Sequence, residues 1–432
     1  MNNKIKVIDA PPGSGKTTWA IKNINNTPTD RRIVYITPFL SEVDRIIKYC
    51  PEKNFVQPDV VRGQGSKSQD FLNLILSDAN IVSTHALFSR MTDEIIEALL
   101  SRNYSLYLDE VFQTVAKWSI KEGAERIIAE KTTRDDINSL IAKEYIRVRE
   151  DYSIEWFDEI YGLSHYEHLK SLADRKMLYY VDGTLLLWVF PSEVFQPNVF
   201  DEIYIFTHQF SMQLQSYYCR YFDIPYDLYH LNDQGIELTV GNGYNPIETK
   251  WKEAVRKNIA ILDIPSLNKI GSCYHDGNGH YHATALSKGW YDRSTSLIPT
   301  LKKNMINYFI NVTSSKANQR LWTCYKDDLP DMASKNISGR YWIPVNTRSV
   351  NEWGDRDVVA YMINRYADPF FAKFFAKKNI QMDQDGFALS EMLQWIFRSA
   401  IRNDKSIKIY IPSERMRNLL IGYLGEDITY LV

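Results

Sequence analysis

The 432-residue sequence predicts an α/β fold with parallel central sheets, divided between two domains. Short apolar segments alternate with amphipathic segments along the first 110 residues, which is typical of strands and helices in a parallel sheet covered on both faces. The length exceeds what a single ordinary core supports, so we expect a second domain. A glycine-rich loop between the first strand and the first helix agrees with this fold class.

The predicted elements of the first half follow a regular order. Strands are expected at 5–8, 33–36, 80–83 and 106–108, and helices at 17–23, 41–49, 70–77 and 93–101. Residues 112–176 are charged, helix-prone and free of proline, which predicts a helical insertion. An Asp-Gly pair at 182–183 predicts a hairpin, and one more strand is expected at 203–207. These elements form a first domain at 1–210.

The alternation restarts in the second half, which predicts a second α/β domain at 211–432. Strands are expected at 216–223, 259–264, 320–324, 340–345 and 407–411, and helices at 290–312, 357–377 and 390–402.

Composition excludes several classes of protein. The chain has 51 basic and 53 acidic residues, a net charge of −2, so any nucleic acid must bind through local basic patches. The four cysteines form no CxxC pair, which argues against a zinc ribbon and a disulfide framework. The sequence shows no signal region and no apolar run of about 20 residues. We therefore expect a reduced, soluble, cytoplasmic protein without a membrane partner.

The glycine-rich loop has the spacing of a phosphate-binding P-loop, with alanine in the place of the first glycine. Its backbone N–H groups and the following helix N-terminus would face phosphate oxygens. Lys16 would reach the β and γ phosphates, and Thr17 would ligate Mg²⁺. The predicted nucleotide-binding residues are Ala10, Pro12, Gly13, Ser14, Gly15, Lys16, Thr17 and Thr18.

Two carboxylates follow the predicted strand at 106–108. Asp109 is placed to hold Mg²⁺ together with Thr17. Glu110 is placed to orient and deprotonate an attacking water, so hydrolysis is favoured over phosphoryl transfer to a metabolite.

Small polar residues end two other predicted strands of the first half. Their hydroxyls could contact phosphodiesters along one edge of the sheet. Helix N-capping by Thr37, Ser41 or Thr84 is an equally good interpretation, and the sequence leaves both open. The predicted nucleic-acid residues here are Thr37, Pro38, Phe39, Thr84 and His85.

The order of these motifs, from the P-loop through Thr-Pro-Phe and Ser-Thr-His to Asp-Glu, resembles the first motor domain of superfamily 2 (DEAD/DEAH-like) helicases. The whole chain resembles a phage-type DNA helicase of that superfamily. The resemblance implies two RecA-like P-loop NTPase domains, ATP as the nucleotide, and an ATP site completed by arginines of the second domain. The segment after the strand at 203–207 lies where the family couples hydrolysis to domain movement, and Gln209 is its candidate for reaching the γ phosphate; a plain interdomain linker is the alternative.

The second half carries weaker counterparts of the family motifs. Gln394, Arg398 and Arg402 resemble the motif Gln-x-x-Gly-Arg-x-x-Arg and would share one face of a helix at 390–402. Phe397 replaces the usual glycine and the second arginine comes one residue late, so either arginine could be the finger. Gln394 would contact the nucleotide. Further segments resemble the family's nucleic-acid motifs at Thr323, Asn346, Thr347 and Arg348.

The resemblance implies an ATP-dependent helicase or translocase that unwinds duplex DNA while moving along one strand. Its partners would be single-stranded DNA or RNA and replication or recombination proteins, and it would act as a monomer, in a host cytoplasm if phage-encoded. The alternatives are a nucleic-acid-stimulated ATPase that remodels complexes, a packaging motor, and a small-molecule kinase. Residues 275–282 are rich in histidine and glycine, and we interpret them as a polar surface loop rather than a metal site.

Overall fold

A computed structural model describes residues 5–118, 134–157, 166–183, 185–232, 234–239, 245–274, 282–345 and 351–432. The chain divides into two compact units. The first unit comprises Met1–Asp9, Lys16–Tyr229 and Asp368–Met382, and the second comprises Ala10–Gly15, His230–Ala367 and Asp383–Val432. Both are α/β, and the predicted fold class is confirmed.

The largest sheet has seven strands within the described residues: β1 Ile5–Asp9, β2 Arg32–Thr37, β3 Ile81–Thr84, β4 Tyr104–Asp109, β10 Glu202–Thr207, β11 Asp227–Asn232 and β12 Gly235–Leu238. Their order in the sheet is β12-β11-β1-β10-β4-β2-β3, and all pairs from β11 to β3 are parallel. These strands belong to the first unit up to Tyr229, and the residues of β11 and β12 from His230 onward fall within the bounds of the second. Near-continuous apolar runs such as β4, with all six residues buried, are expected for strands covered on both faces.

The second unit has five strands within the described residues: β13 Ile259–Leu262, β14 Arg320–Thr323, β15 Val358–Tyr361, β16 Ile407–Tyr410 and β17 Thr429–Leu431. They form a parallel sheet in the order β14-β15-β16-β13-β17.

The remaining strands of the described residues are β5 Val115–Lys117, β6 Ile146–Val148, β7 Ile154–Trp156, β8 Leu178–Val181 and β9 Leu185–Val189. They form two small antiparallel sheets, β5-β9-β8 and β6-β7.

Helices cover the sheets. In the first unit they are Lys16–Asn26, Leu40–Tyr49, Lys67–Leu76, His85–Phe88, Asp93–Leu100, Glu167–Asp174, Leu214–Tyr221 and Pro369–Ala376, with residues 134–142 also helical. In the second unit they are Pro246–Asn258, Pro265–Asn268, Lys288–Arg293, Ile298–Asn307, Leu329–Met332, Gln384–Ile396 and Glu414–Leu424.

The helix Pro369–Ala376 comes from the C-terminal half of the chain but packs in the first unit. Its Phe374 ring stacks on Tyr221 at 4.4 Å between centroids and meets Tyr179 edge-on at 5.3 Å. Both phenylalanines of its last turn, Phe374 and Phe375, are fully buried in the core of that unit. Aromatic burial on this scale makes the segment an integral part of the first unit.

The first unit therefore ends later than the predicted boundary at 210. The chain beyond residue 210 forms the helix Leu214–Tyr221 and then β11, which pairs in parallel with β1. Pairing with β1 makes β11 part of the same sheet, and sequence periodicity cannot reveal which sheet a strand joins.

The predicted insertion at 112–176 contains helices at 134–142 and Glu167–Asp174. It also contains β5, β6 and β7, which the charged composition concealed. The helices and strands share a small core that includes Ile137, Ile146 and Leu169.

Several predicted elements of the second half were wrong. The aromatic-rich stretch 216–223, predicted as a strand, lies in the helix Leu214–Tyr221, whose residues from Gln215 to Cys219 are all buried. The segment 357–377, predicted as one helix, begins with the buried strand β15, and its helix starts only at Pro369. Burial on all sides removes the amphipathic signal that distinguishes the two periods.

Two further elements are shorter than predicted. The predicted helix 290–312 is interrupted after Arg293 and restarts at Ile298, where a proline occupies its first turn. The predicted strand 340–345 contains a 3₁₀ turn, Gly339–Tyr341, and pairs only at Trp342 with Trp322.

The helix predicted at 390–402 runs instead from Gln384 to Ile396 and is capped by the carboxylate of Asp383. Arg398 lies beyond its end, and Arg402 lies in a separate 3₁₀ turn, Ala400–Asn403. The predicted sharing of one helix face by Gln394, Arg398 and Arg402 is therefore wrong.

Candidate nucleotide site

The P-loop has the backbone that its sequence predicts. Gly13 and Gly15 adopt φ values of +79° and +90°, which favour glycine, and the helix begins at Lys16. The loop is closed by a hydrogen bond from Ser14 N to Pro11 O at 3.2 Å. The hydroxyl oxygen of Ser14 is buried and has no hydrogen-bond partner among the described residues, as expected of a group that awaits a polar ligand.

Parallel pairing brings the polar ends of five strands to one edge of the first sheet. Asp9 of β1 lies opposite Thr207 of β10, whose neighbour Phe206 lies opposite Asp109 of β4. On the far side of β4, β2 ends at Thr37, which lies opposite Thr84 of β3. The predicted hydroxyl and carboxylate residues of the first half therefore meet at the carboxyl edge, where ligands bind to open α/β sheets.

Asp109 is the buried centre of this edge, with 8% of its surface exposed. The Thr37 hydroxyl donates a hydrogen bond to Asp109 Oδ2 at 3.4 Å, and His85 Nε2 donates to the Asp109 carbonyl at 2.8 Å. Burial, reinforced by the negative charge of Glu110, raises the pKa of Asp109 to about 7. A cation beside Asp109 would relieve both effects.

Lys16 is a cation whose charge already acts on Asp109 and lowers the pKa of its carboxyl. Burial lowers the pKa of its ammonium, while the charges of Glu110, Asp109 and Asp9 oppose that shift. Lys16 and the acidic pair, which lie 93 residues apart in sequence, are therefore electrostatic neighbours in the fold. Glu110 itself has the left-handed φ of +62°, and its N–H donates to Phe206 O at 2.9 Å. That bond ties the turn after β4 to β10.

The donor set fits a nucleoside triphosphate with Mg²⁺. Oxygen ligands of the kind that Mg²⁺ prefers are available from Asp109 and Thr17. Positively charged and hydrogen-bonding groups for phosphate are available from Lys16 and Ser14. A Cβ atom added at Gly13 or Gly15 would meet nothing within 4 Å, so the loop borders open space.

The structure bears on the capping interpretation of the strand-end hydroxyls. Phe39 is the N-cap of the helix Leu40–Tyr49, so neither Thr37 nor Ser41 caps it. Thr84 is the N-cap residue of the helix His85–Phe88, but in the described chain its side chain makes no cap bond. Because Thr37 and His85 both hydrogen-bond to Asp109, their polar atoms support the acidic centre.

Asp9 is a residue of this edge that sequence reasoning missed. Its carboxylate accepts hydrogen bonds from Gln209 N at 2.7 Å and Phe210 N at 2.9 Å. Gln209 has a left-handed φ of +57°, and its side-chain oxygen is buried without a hydrogen-bond partner in the described part of the chain. An acidic residue directly before a P-loop was the available signal, but its partners lie 200 residues away.

The predicted site residues of the second unit differ in burial and lie on separate elements. Thr323 ends β14 and is fully buried, and its hydroxyl has no hydrogen-bond partner within the described ranges. Gln394 is half-buried in its helix, Arg398 is only 6% exposed, and Arg402 is exposed. Asn346, Thr347 and Arg348 lie outside the described residues, as do 275–281 of the histidine-rich loop.

Trp251, also missed from sequence, contacts the P-loop within the second unit, to which Pro12 belongs. Its indole N–H donates to Pro12 O at 3.2 Å, and its ring stacks on Phe397 with centroids 4.6 Å apart. A tryptophan in an otherwise charged helix, Pro246–Asn258, gave no local signal of this contact.

Replacing Asp109 with asparagine should stabilise the folded protein at pH 8. The folded pKa of about 7 lies above the usual 3.8, so the folded state binds the proton more tightly and stability falls as pH rises between these values. Each pKa unit corresponds to about 1.4 kcal/mol, so we expect a gain on the order of 2–4 kcal/mol at pH 8. Urea unfolding at pH 8 and pH 4.5 measures it, and the gain should shrink at the lower pH. An equal gain at both would contradict the argument.

Comparison with known proteins identifies relatives of this chain. It is 35% identical over 430 residues to the SPbeta prophage-derived protein YonV of Bacillus subtilis (strain 168), and the match covers 98% of each chain. The chain belongs to the YonV family. Residues 128–188 match the model of the YonV middle domain, and residues 253–424 match the YonV C-terminal Rossmann-like domain. The middle-domain match overlaps the predicted insertion.

Solved structures extend the comparison to the fold. The YonV-family chain is similar to S. tokodaii Xpd4, with a TM-score of 0.51 and 12% identity over 99% of this chain and 96% of that one. A weaker match is the DUF1998 helicase MrfA bound to DNA and AMPPNP, with a TM-score of 0.33 and 9% identity over 99% and 49% of the two chains. The likeness to Xpd4 concerns the fold, and it extends over nearly the whole length of both chains.

Within the described residues, no helix of this YonV-family chain combines the length and apolarity that crossing a bilayer requires.

Proposed function

We propose that the chain is an ATP-dependent helicase or translocase that moves along single-stranded DNA. Single-stranded RNA is the alternative nucleic acid to be tested. The observation that carries the proposal is the convergence of Lys16, Asp109 and Glu110 at the carboxyl edge of the first sheet. A P-loop lysine beside a strand-end acidic pair supports nucleotide hydrolysis rather than nucleotide storage. The prophage origin of the YonV relative suggests a setting among replication or recombination proteins of a host cytoplasm.

Each residue then has a chemical task. Lys16 contacts the β and γ phosphates, and Thr17 with Asp109 would hold Mg²⁺, which neutralises phosphate charge when bound. Glu110 accepts a proton from the attacking water. Translocation requires that the two domains differ in affinity for the strand between the nucleotide states. The strand contacts proposed from sequence involve Thr37, Pro38, Phe39, Thr84, His85, Thr323, Asn346, Thr347 and Arg348.

The test is the ATP hydrolysis rate measured alone, with single-stranded DNA and with single-stranded RNA. Stimulation by either nucleic acid supports the proposal, and the nucleic acid that stimulates hydrolysis more is the one along which the protein moves. A tailed-duplex displacement assay then separates unwinding from remodelling: stimulated hydrolysis without displacement favours the remodelling ATPase. Unstimulated hydrolysis, or transfer of phosphate to a small metabolite, would contradict the proposal.

Arg398 and Arg402 are proposed to complete the ATP site, and at least one alanine replacement should lower kcat strongly. An arginine that neutralises transition-state charge is worth about 10³-fold or more in kcat. Arg402 is exposed, so R402A should leave the melting temperature unchanged, whereas R398A also removes a buried side chain. Lys405 is exposed nearby, and K405A is the matched control. If both arginine variants hydrolyse ATP at the wild-type rate, the two-domain site is wrong.

A further inference from the structure

The turn that follows β10 is held by a side chain from the neighbouring strand. Gln209 precedes the 3₁₀ turn Phe210–Met212 and makes no side-chain cap bond to it in the described structure. The cap comes instead from Asp9 at the end of β1, whose two carboxylate oxygens accept from the N–H groups of Gln209 and Phe210. Hydrogen bonds from backbone N–H groups to a carboxylate are about twice as strong as neutral ones.

The two hydrogen bonds from Gln209 N and Phe210 N to the Asp9 carboxylate are called the Asp9 clasp below. The clasp stabilises a backbone conformation that glutamine disfavours. Gln209 has φ +57° and ψ +50°, the left-handed region that residues other than glycine, asparagine and aspartate rarely adopt. A second set of bonds holds the same turn, because Gln213 Nε2 donates to Thr207 Oγ1 at 3.1 Å and to the His208 carbonyl. The side chains of Asp9 and Gln213 therefore hold this turn from two sides of the sequence.

The Gln209 side chain is the exception. Its amide oxygen is buried and has no hydrogen-bond partner among the described residues, although buried polar atoms are normally paired. A glutamine oxygen in this state can accept a hydrogen bond from a water molecule, which is how a glutamine orients a nucleophile in nucleotide hydrolysis. The backbone conformation that Asp9 imposes sets the direction in which this amide leaves the main chain.

We propose that Asp9 is a positioning residue for ATP hydrolysis, which holds Gln209 in the conformation that orients the attacking water. The inference rests on the proposed ATPase function. Asp9 would then have a role distinct from nucleotide binding. It ends β1, the strand before the P-loop, and its side chain fixes the backbone of Gln209, which follows β10.

The test is Asp9→Asn, which keeps the shape of the side chain but can accept only one of the two N–H bonds. We expect kcat for ATP to fall by about 100-fold, as misplacement of a catalytic group by about 1 Å commonly does, with KM changed less than about threefold. Gln209→Ala should show the same loss. The double variant should lose no more than either single variant, because both act through one amide. Asp30→Asn, at an exposed aspartate, is the control.

The outcomes separate this inference from the proposed function. A wild-type protein that does not hydrolyse ATP overturns the proposed function, and the inference with it. A wild-type kcat in D9N, a loss confined to KM, or additive losses in the double variant overturn the positioning role alone. If D9N fails to fold, amide hydrogen exchange in the wild type decides: Gln209 and Phe210 should be as protected as β10, and rapid exchange at both would overturn the clasp.

Discussion

Replacing Lys16 with alanine is expected to abolish ATP hydrolysis. Loss of one preorganised phosphate or oxyanion contact costs about 10²–10³-fold in kcat, and Lys16 also contributes to nucleotide binding, so we expect kcat/KM to fall by about 10³-fold or more. The loss of Lys16 should matter more because its ammonium is buried and interacts with three carboxylates, those of Asp9, Asp109 and Glu110. Without the ammonium, the negative charges of these carboxylates would repel an anionic nucleotide.

Phosphate release and binding of a fluorescent ATP analogue measure the two parts of this loss separately. Lys22 lies exposed on the same helix, so K22A is the matched control and should behave as wild type. Lys16 also lowers the pKa of Asp109, so K16A should shift that pKa further upward. Substantial hydrolysis by K16A would refute the central claim about this site.

Replacing Glu110 with glutamine is expected to separate nucleotide binding from hydrolysis. Glutamine preserves the shape of the side chain but cannot accept the proton of the attacking water, and such a loss typically costs about 10²–10⁴-fold in rate. ATP binding should survive. It should even strengthen near pH 6.5, because the charge of Glu110 raises the pKa of Asp109 and its removal leaves Asp109 more fully ionised.

Single-turnover hydrolysis and equilibrium binding at pH 6.5 and pH 8 measure these effects. Glu97 is exposed on a surface helix, so E97Q is the control for a neutralised carboxylate outside the site. Wild-type hydrolysis by E110Q would remove Glu110 from the mechanism. A loss of binding equal to the loss of rate would instead make it a nucleotide-binding residue.

Much of the first unit could be predicted from sequence because its signals are local. The P-loop needs only a strand, a glycine-rich turn and a helix start, and these occupy consecutive residues. The strands β1, β2, β3 and β4 are continuous apolar runs, so their positions and polar ends could be read directly. The second half of the chain was harder to predict, since the burial of the helix Leu214–Tyr221 and of β15 hides the difference between helical and strand periods.

The sequence alone determined the fold class, the phosphate-binding loop and the acidic pair that follows β4. Tertiary structure alone decided the strand order, which inserts β10 between β1 and β4 and so brings Gln209 to the end of the P-loop strand. It also decided the clasp by Asp9 and the return of the helix Pro369–Ala376 to the first core. The physical reason is the sequence separation over which each effect acts. Propensity and capping act over a few neighbouring residues, whereas strand order depends on how apolar surface is buried across the whole unit.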